Sequence, residues 1–174
     1  AFDKLPLEER RLALLTLAAL APARAEAVCV ELLGDARMVT IESHEETRAL
    51  EEVHTPNQGS VASVAAYLKL DSRPFLKTQL YLADGIPVMA LVRGDHELNE
   101  PKLQRAAGAA LLERATDSQY LSIAGCEVGF AGPVKLAQWK NPKGELVTVR
   151  LIADLALQGL ANGVSSANRK DYHL

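Results

Sequence analysis

The chain of 174 residues is 48% hydrophobic and 24% charged, and its 19 basic against 22 acidic side chains give a formal net charge of −3. That length suits one compact domain with a sizeable core and is short for two. The composition excludes a disordered or fibrous chain, and the weak acidity excludes a broadly basic nucleic-acid coat while leaving room for a local basic patch.

In chain order, Leu7, Leu14, Leu15 and Leu17 recur near helical spacing behind Pro6, which predicts a helix over residues 7–20. Ala27–Leu33 and Met38–Ile41 read as the strands of a hairpin around Gly34-Asp35. The acidic stretch Glu42–Glu52 reads as a connector or an exposed helix. Thr55-Pro56-Asn57-Gln58-Gly59 then breaks the chain, and Ser60 is placed to cap a helix whose Val61, Val64, Ala65 and Leu68 share one face. The clearest strand pattern covers residues 75–83, with Leu76, Thr78, Leu80 and Leu82 on one face and Phe75, Lys77, Gln79 and Tyr81 on the other.

Asp84-Gly85 turns the chain into a return strand, Ile86–Arg93. Asn99 caps a helix running to about Ala107, with Pro101 tolerated in its first turn, and Thr116–Ala124 reads as another short helix. Gly125, Gly129, Gly132 and Pro133 make a rigid loop poor in side chains. A hairpin around Asn141-Pro142-Lys143-Gly144 feeds a strand over Leu146–Ile152. The closing stretch is small and polar, a composition that often brings backbone amides near a ligand. Strands and helices intermix without a βαβ repeat, so the expected fold is α+β: one compact domain with a mixed sheet flanked by helices.

Cys29 and Cys126 stand far apart without metal-ligand spacing, as reduced buried thiols of a cytoplasmic chain would. A single disulfide in a secreted protein is the other reading. The apolar run Leu12–Ala21 resembles a leader core but follows Glu8, Glu9, Arg10 and Arg11 and is too short to span a bilayer, so no membrane association is expected. The first residue is Ala, as in a processed or excised piece.

Lys77 sits mid-strand among apolar neighbours; if its face lines a cleft, the ammonium can hold a phosphate or carbonyl, and if not it is a surface lysine. Asp95 beside His96 invites a general-base reading. Adjacent residues diverge in a turn, however, and a turn followed by a helix cap is the stronger reading. His44, His54, His96 and His173 are spread without metal-ligand spacing, so no metal and no cofactor is expected. Nucleophile-elbow, phosphate-loop and dinucleotide fingerprints are absent from the sequence. Trp139 with Lys140 and Lys143 fits nucleic-acid stacking or plain packing equally well.

The string Arg93-Gly94-Asp95-His96-Glu97-Leu98-Asn99-Glu100, followed by Lys102, closely resembles a segment of the editing insertion of bacterial prolyl-tRNA synthetases, members of a family of synthetase-associated aminoacyl-tRNA deacylases. Collinear with it, Val53-His54-Thr55-Pro56 resembles the family's opening, Lys77-Thr78 with Leu80 its strand, and Gly129 to Pro133 its GxxxP loop. Asp154 falls in the family's I-x-D segment, and Ala167-Asn168 with His173 resembles its ending. The resemblance runs from about residue 50 to the end. It leaves 48–174 as the editing domain and 1–47 as a helix and hairpin segment of unassigned role packed on it.

The resemblance implies hydrolysis of mischarged tRNA, most specifically alanine on proline tRNA. The partners would be the tRNA acceptor end and, for an excised insertion, the rest of a prolyl-tRNA synthetase. It implies that Lys77 holds the terminal adenosine or its phosphate, that the amides of Gly129–Gly132 bind the ester carbonyl, and that Asp154 positions substrate or water. His173 would shape the alanine pocket together with Phe130, Ala131, Pro133, Ser166 and Asn168. Catalysis would lean on the terminal tRNA hydroxyl, without a metal or a protein nucleophile. Ser166 replaces the family's usual Gly, Asp171 lies later than its acidic residue, and Phe75-Leu76 replaces Thr-Val, departures that bear on pocket size. A freestanding trans-editing deacylase acting on Cys- or Ser-tRNA and an inactive tRNA-binding or structural insert are the alternatives.

Overall fold

The computed structural model describes residues 30–33, 48–134, 136, 139–158 and 160–174. The helix expected over residues 7–20, the strand Met38–Ile41 and Cys29 lie outside them. In chain order the elements are β1 (Val30–Leu33), β2 (Val53–His54), α1 (Val61–Leu68), β3 (Leu76–Ala83), β4 (Ile86–Arg93), α2 (Glu100–Ala107) and β5 (Leu112–Arg114). Then come α3 (Asp117–Ala124), β6 (Trp139–Lys140), β7 (Leu146–Val147), β8 (Arg150–Asp154), a 3-10 turn at Leu155–Leu157, and β9 (Tyr172–His173).

The main sheet has the order β1-β8-β4-β3-β5, with β8 parallel to both β1 and β4 and β3 antiparallel to β4 and β5. The mixed sheet and the flanking helices make this an α+β fold. The β3–β4 hairpin closes on Asp84 and Gly85, at φ 50° and 82°, the pair of positive angles that a two-residue turn matched to strand twist requires. Asp84 does more than turn: its carboxylate accepts from the amides of Ala110 and Leu111 at 3.0 and 2.8 Å, which delivers the chain into β5.

The alternation in β3 is realised on both faces. Leu76, Leu80, Met89, Leu91 and Leu151 pack against Tyr120, Ile123 and Ala124 of α3, with Ala131, Trp139 and Leu157 closing that layer. On the opposite face Tyr81, Val88, Ala90 and Ile152 pack under Leu103 and Ala107 of α2, while Phe75 is covered by Val64 and Ala65 of α1. Fully burying a side chain such as Leu103 contributes about 2 kcal/mol. β5 meets β3 only from Tyr81 onward, so the Leu80 amide has no strand partner; it donates instead to the Tyr120 hydroxyl at 2.9 Å.

Each helix starts where the sequence supplies an oxygen for its unpaired amides. Ser60 and Ser63 form a reciprocal capping box for α1, Asn99 accepts from Lys102 N for α2, and Thr116 with Gln119 caps α3. The strand expected over Leu146–Ile152 is two strands. β7 pairs back on β6, whereas the chain from Arg150 enters the main sheet between β1 and β4, and one straight strand cannot serve both neighbours. Val30–Leu33, expected in a hairpin, runs parallel to β8 in the main sheet. Trp139 is core, 8% exposed, with its indole N–H on Ser122 Oγ at 3.3 Å, which decides for packing over stacking on nucleic acid.

Candidate functional site

The closing segment is a hub. Val164 lies against the start of β3, with Leu76 N donating to Val164 O and Val164 N to Pro74 O, both at 2.8 Å. The chain then reverses through Asn168 and Asp171, at φ 56° and 60°, and returns so that Ser166 faces His173 and Leu174 exchanges two hydrogen bonds with Ser165. β9 pairs in turn with β2, Val53 opposite His173 and His54 opposite Tyr172. Asn and Asp, which occupy the two positive-φ positions of this reversal, are among the few residues that take a left-handed backbone readily.

His173 is 9% exposed, and its Nδ1 lies 2.7 Å from Oγ1 of the fully buried Thr55. Burial pushes the imidazole below its ordinary pKa, so near pH 7 the ring is neutral. The glycine loop docks on the same hairpin. Asn168 Oδ1 accepts from Gly132 N at 2.6 Å, and Asn168 Nδ2 donates to Val134 O. Gly132 leaves no room for a side chain: a Cβ there would be driven into the carbonyl oxygen of Ser166, with Ser165 Oγ at 2.9 Å. Ala131 and Pro133 are buried, Phe130 is half-buried against the α3-side core, and Gly129 is exposed at φ 92°.

Lys77 and Asp154 belong to the other face of the sheet. Lys77 pairs with Val92, and Asp154 follows Ala153, the partner of Leu91, so the two sit about two strand spacings apart, roughly 10 Å, on the α2 side. Lys77 Nζ donates to His96 O at 2.8 Å and to Glu97 Oε1 at 2.6 Å, and the ammonium holds the Glu97 carboxyl below its usual pKa range. Asp154 caps the following 3-10 turn through Ala156 N at 2.9 Å and receives Lys102 Nζ at 3.3 Å.

Comparison with known proteins decides the family. A model of the aminoacyl-tRNA editing domain matches residues 55–174. The chain belongs to that family. It is 46% identical over 131 residues to a proline–tRNA ligase of Geobacter sulfurreducens, covering 75% of this chain and 21% of that protein. A proline–tRNA ligase of Geotalea daltonii is 42% identical over 141 residues, covering 81% of the chain and 23% of the relative. The chain thus spans about a fifth of the length of these relatives. Among solved structures, one described as a candidate trans-editing enzyme for prolyl tRNA synthetase shares the fold at a TM-score of 0.58 and 18% identity, covering 71% of this chain and 73% of that one.

Within this editing domain the expected site residues fall into two groups. Gly129–Pro133, Ser166, Asn168 and His173 form one contiguous cluster, which Thr55 joins through His173; Lys77 and Asp154 lie apart from it on the α2 side, each with its own partners. Two of the expected residues already hold partners within the protein. Gly132 is read from the family resemblance as an amide donor to the ester carbonyl, but that amide is already committed to Asn168. Asn168 is read as a substrate contact, but both ends of its carboxamide serve the loop. Asp95 grips Arg93 at 2.6 and 2.9 Å and stays 3.9 Å from His96 Nε2. A guanidinium only donates, so in its 2.9 Å contact with Arg93 the His96 Nε2 stands as the acceptor. The turn reading holds, and Asp95 and His96 form no dyad.

Thr55 is the residue whose role sequence reasoning missed. Its signal was the Thr-Pro pair, seen as a chain breaker and a family marker and not as a partner for a residue 118 positions away. Burial, with a smaller push from Glu127, raises the Cys126 thiol to about 11, which leaves it protonated and unfit as a nucleophile. Thr78, on the loop face of β3, has a buried hydroxyl with no hydrogen-bond partner among the described residues. Among those residues no helix is long and apolar enough to cross a membrane.

Proposed function

We propose that this domain hydrolyses the ester linking alanine to proline tRNA, as the editing module of a proline–tRNA ligase. The observation that carries the reading is the packing of the GxxxP loop on the hairpin that presents His173, because it sets backbone amides beside a small, mostly buried wall. Phe130 N is used by Glu127 O at 3.2 Å and Gly132 N by Asn168, whereas the amides of Gly129 and Ala131 have no acceptor among the described residues. Two such donors are what an ester carbonyl needs as it becomes an oxyanion under attack by water. The acyl bond then breaks, alanine leaves as its acid, and the terminal ribose of the tRNA recovers its hydroxyl.

A second pocket of this kind answers a size problem. A proline site cannot exclude the smaller alanine sterically, and lost apolar contact discriminates by only about 1–3 kcal/mol per methylene. Ala131, Ser166, Ala167 and His173, the last supported by Thr55, are the residues that would set the size limit of the acyl pocket on this reading. Lys77 keeps one of its three N–H donors beyond His96 O and Glu97 for an oxygen of the terminal nucleotide. Its existing partners also favour a second reading, in which the lysine is structural and the domain only supports its parent enzyme.

The test is release of labelled alanine from Ala-tRNA(Pro) by the chain at high concentration, with Pro-, Ser- and Cys-charged tRNA alongside. Hydrolysis of the alanyl ester and not the prolyl one is expected. Preference for the seryl or cysteinyl ester would keep the chemistry and replace the specificity, and inactivity on all four would move the assignment to the structural reading.

A further inference from the structure

We propose that Asn168 is a positioning residue, whose carboxamide fixes the shape of the Gly129–Pro133 loop and makes no contact with the substrate. The consequence for catalysis rests on the editing reading above; the clamp itself rests on geometry. Asn168 Oδ1 accepts from Gly132 N at 2.6 Å and lies 4.0 Å from Cys126 Sγ, while Nδ2 donates to Val134 O. These contacts straddle Pro133, which has no N–H of its own, so the carboxamide supplies the partner that a neighbouring strand would supply elsewhere. With its carbonyl and its amino group both engaged inside the protein, Asn168 has little left to offer a ligand.

The backbone of Asn168 matters as much as its side chain. At φ 56° it makes the reversal that sets Ser166 opposite His173, so one residue both turns the pocket hairpin and holds the loop against it. Gly132 completes the arrangement, since only the absence of a Cβ lets its amide approach this hairpin. The clamp therefore sorts the loop amides. Gly132 is occupied, and Gly129 and Ala131, which is 3% exposed, are left for the reacting carbonyl.

Two variants separate positioning from contact. Asn168→Gly retains access to the left-handed backbone and deletes the carboxamide; Asn168→Asp keeps the acceptor for Gly132 and loses the donor to Val134. Steady-state release of alanine from Ala-tRNA(Pro) by the full chain should show kcat down by about tenfold or more in Asn168→Gly, with KM within about threefold. Asn168→Asp should fall between it and the parent. An unchanged kcat, or a raised KM at unchanged kcat, overturns the proposal.

If the variants do not fold, the unmodified protein still decides. A through-hydrogen-bond NMR coupling from the Gly132 nitrogen to the Asn168 carboxamide carbon is expected, and its absence overturns the clamp. Failure of the parent chain to release alanine from any charged tRNA would count against the editing reading alone, because the coupling is read without substrate.

Discussion

Thr55 Oγ1 and His173 Nδ1 stand 2.7 Å apart in the interior, joined across the short β2–β9 pair by residues almost at opposite ends of the described chain. Because burial disfavours the imidazolium, His173 takes up a proton more easily in the unfolded chain, where its pKa is about 6.5. Its contribution is then complete above that value and is lost as pH falls through it toward the lower folded pKa. The carboxyls of Asp95, Glu97 and Glu100, all held low by cationic or hydrogen-bonded partners, lose their contribution only at more acid pH. Urea midpoints at pH 7.5 and pH 5.5 should therefore differ in the parent and converge in His173→Gln. Equal midpoints in the parent would contradict the burial of a neutral imidazole.

Lys77→Ala discriminates function from structure. Glu97, its ionic partner, is 85% exposed by side chain, so solvent screens the pair and deleting it should leave the denaturation midpoint nearly unchanged. Loss of an ammonium that contacts the substrate should cost about 10²-fold in deacylation. A variant that keeps full deacylase activity would assign Lys77 to the structural set.

The two loop glycines should fail differently. Gly132→Ala forces a Cβ into the Ser166 carbonyl and should cost several kcal/mol, roughly the range of severe core overpacking. At Gly129 a Cβ meets nothing within 4 Å, but φ is 92°, so Gly129→Ala should cost only about 1–3 kcal/mol of backbone strain. Chemical denaturation of both variants gives the order directly, and a reversed order would place the loop elsewhere.

Thr78→Val should stabilise the free protein, by roughly 1 kcal/mol, since it removes a buried hydroxyl that has no partner and keeps the side-chain shape. Calorimetry checks the sign. A lowered melting temperature would mean that the hydroxyl is satisfied by ordered water.

Helix starts, the β3–β4 hairpin and the α+β class were legible because each is set locally. Ser60, Asn99 and Thr116 supply cap oxygens within a few residues of the amides they satisfy, and Asp84-Gly85 carries its turn geometry in two residues. What periodicity could not reach were β2, β9 and β5, strands of two or three residues with too few alternations to read.

The family followed from collinear motifs, and the matched residues 55–174 bear it out. Which motif residues touch one another was decided only by tertiary structure. Asn168 and Gly132 are 36 positions apart, and nothing in either local sequence says that a carboxamide will occupy that amide. The same holds for Lys77, whose strand alternation predicted its face but not that His96 and Glu97 would meet it there. Local sequence fixes backbone propensity and polarity; long-range packing determines which donor finds which acceptor, and in this domain that pairing commits the Gly132 amide to Asn168.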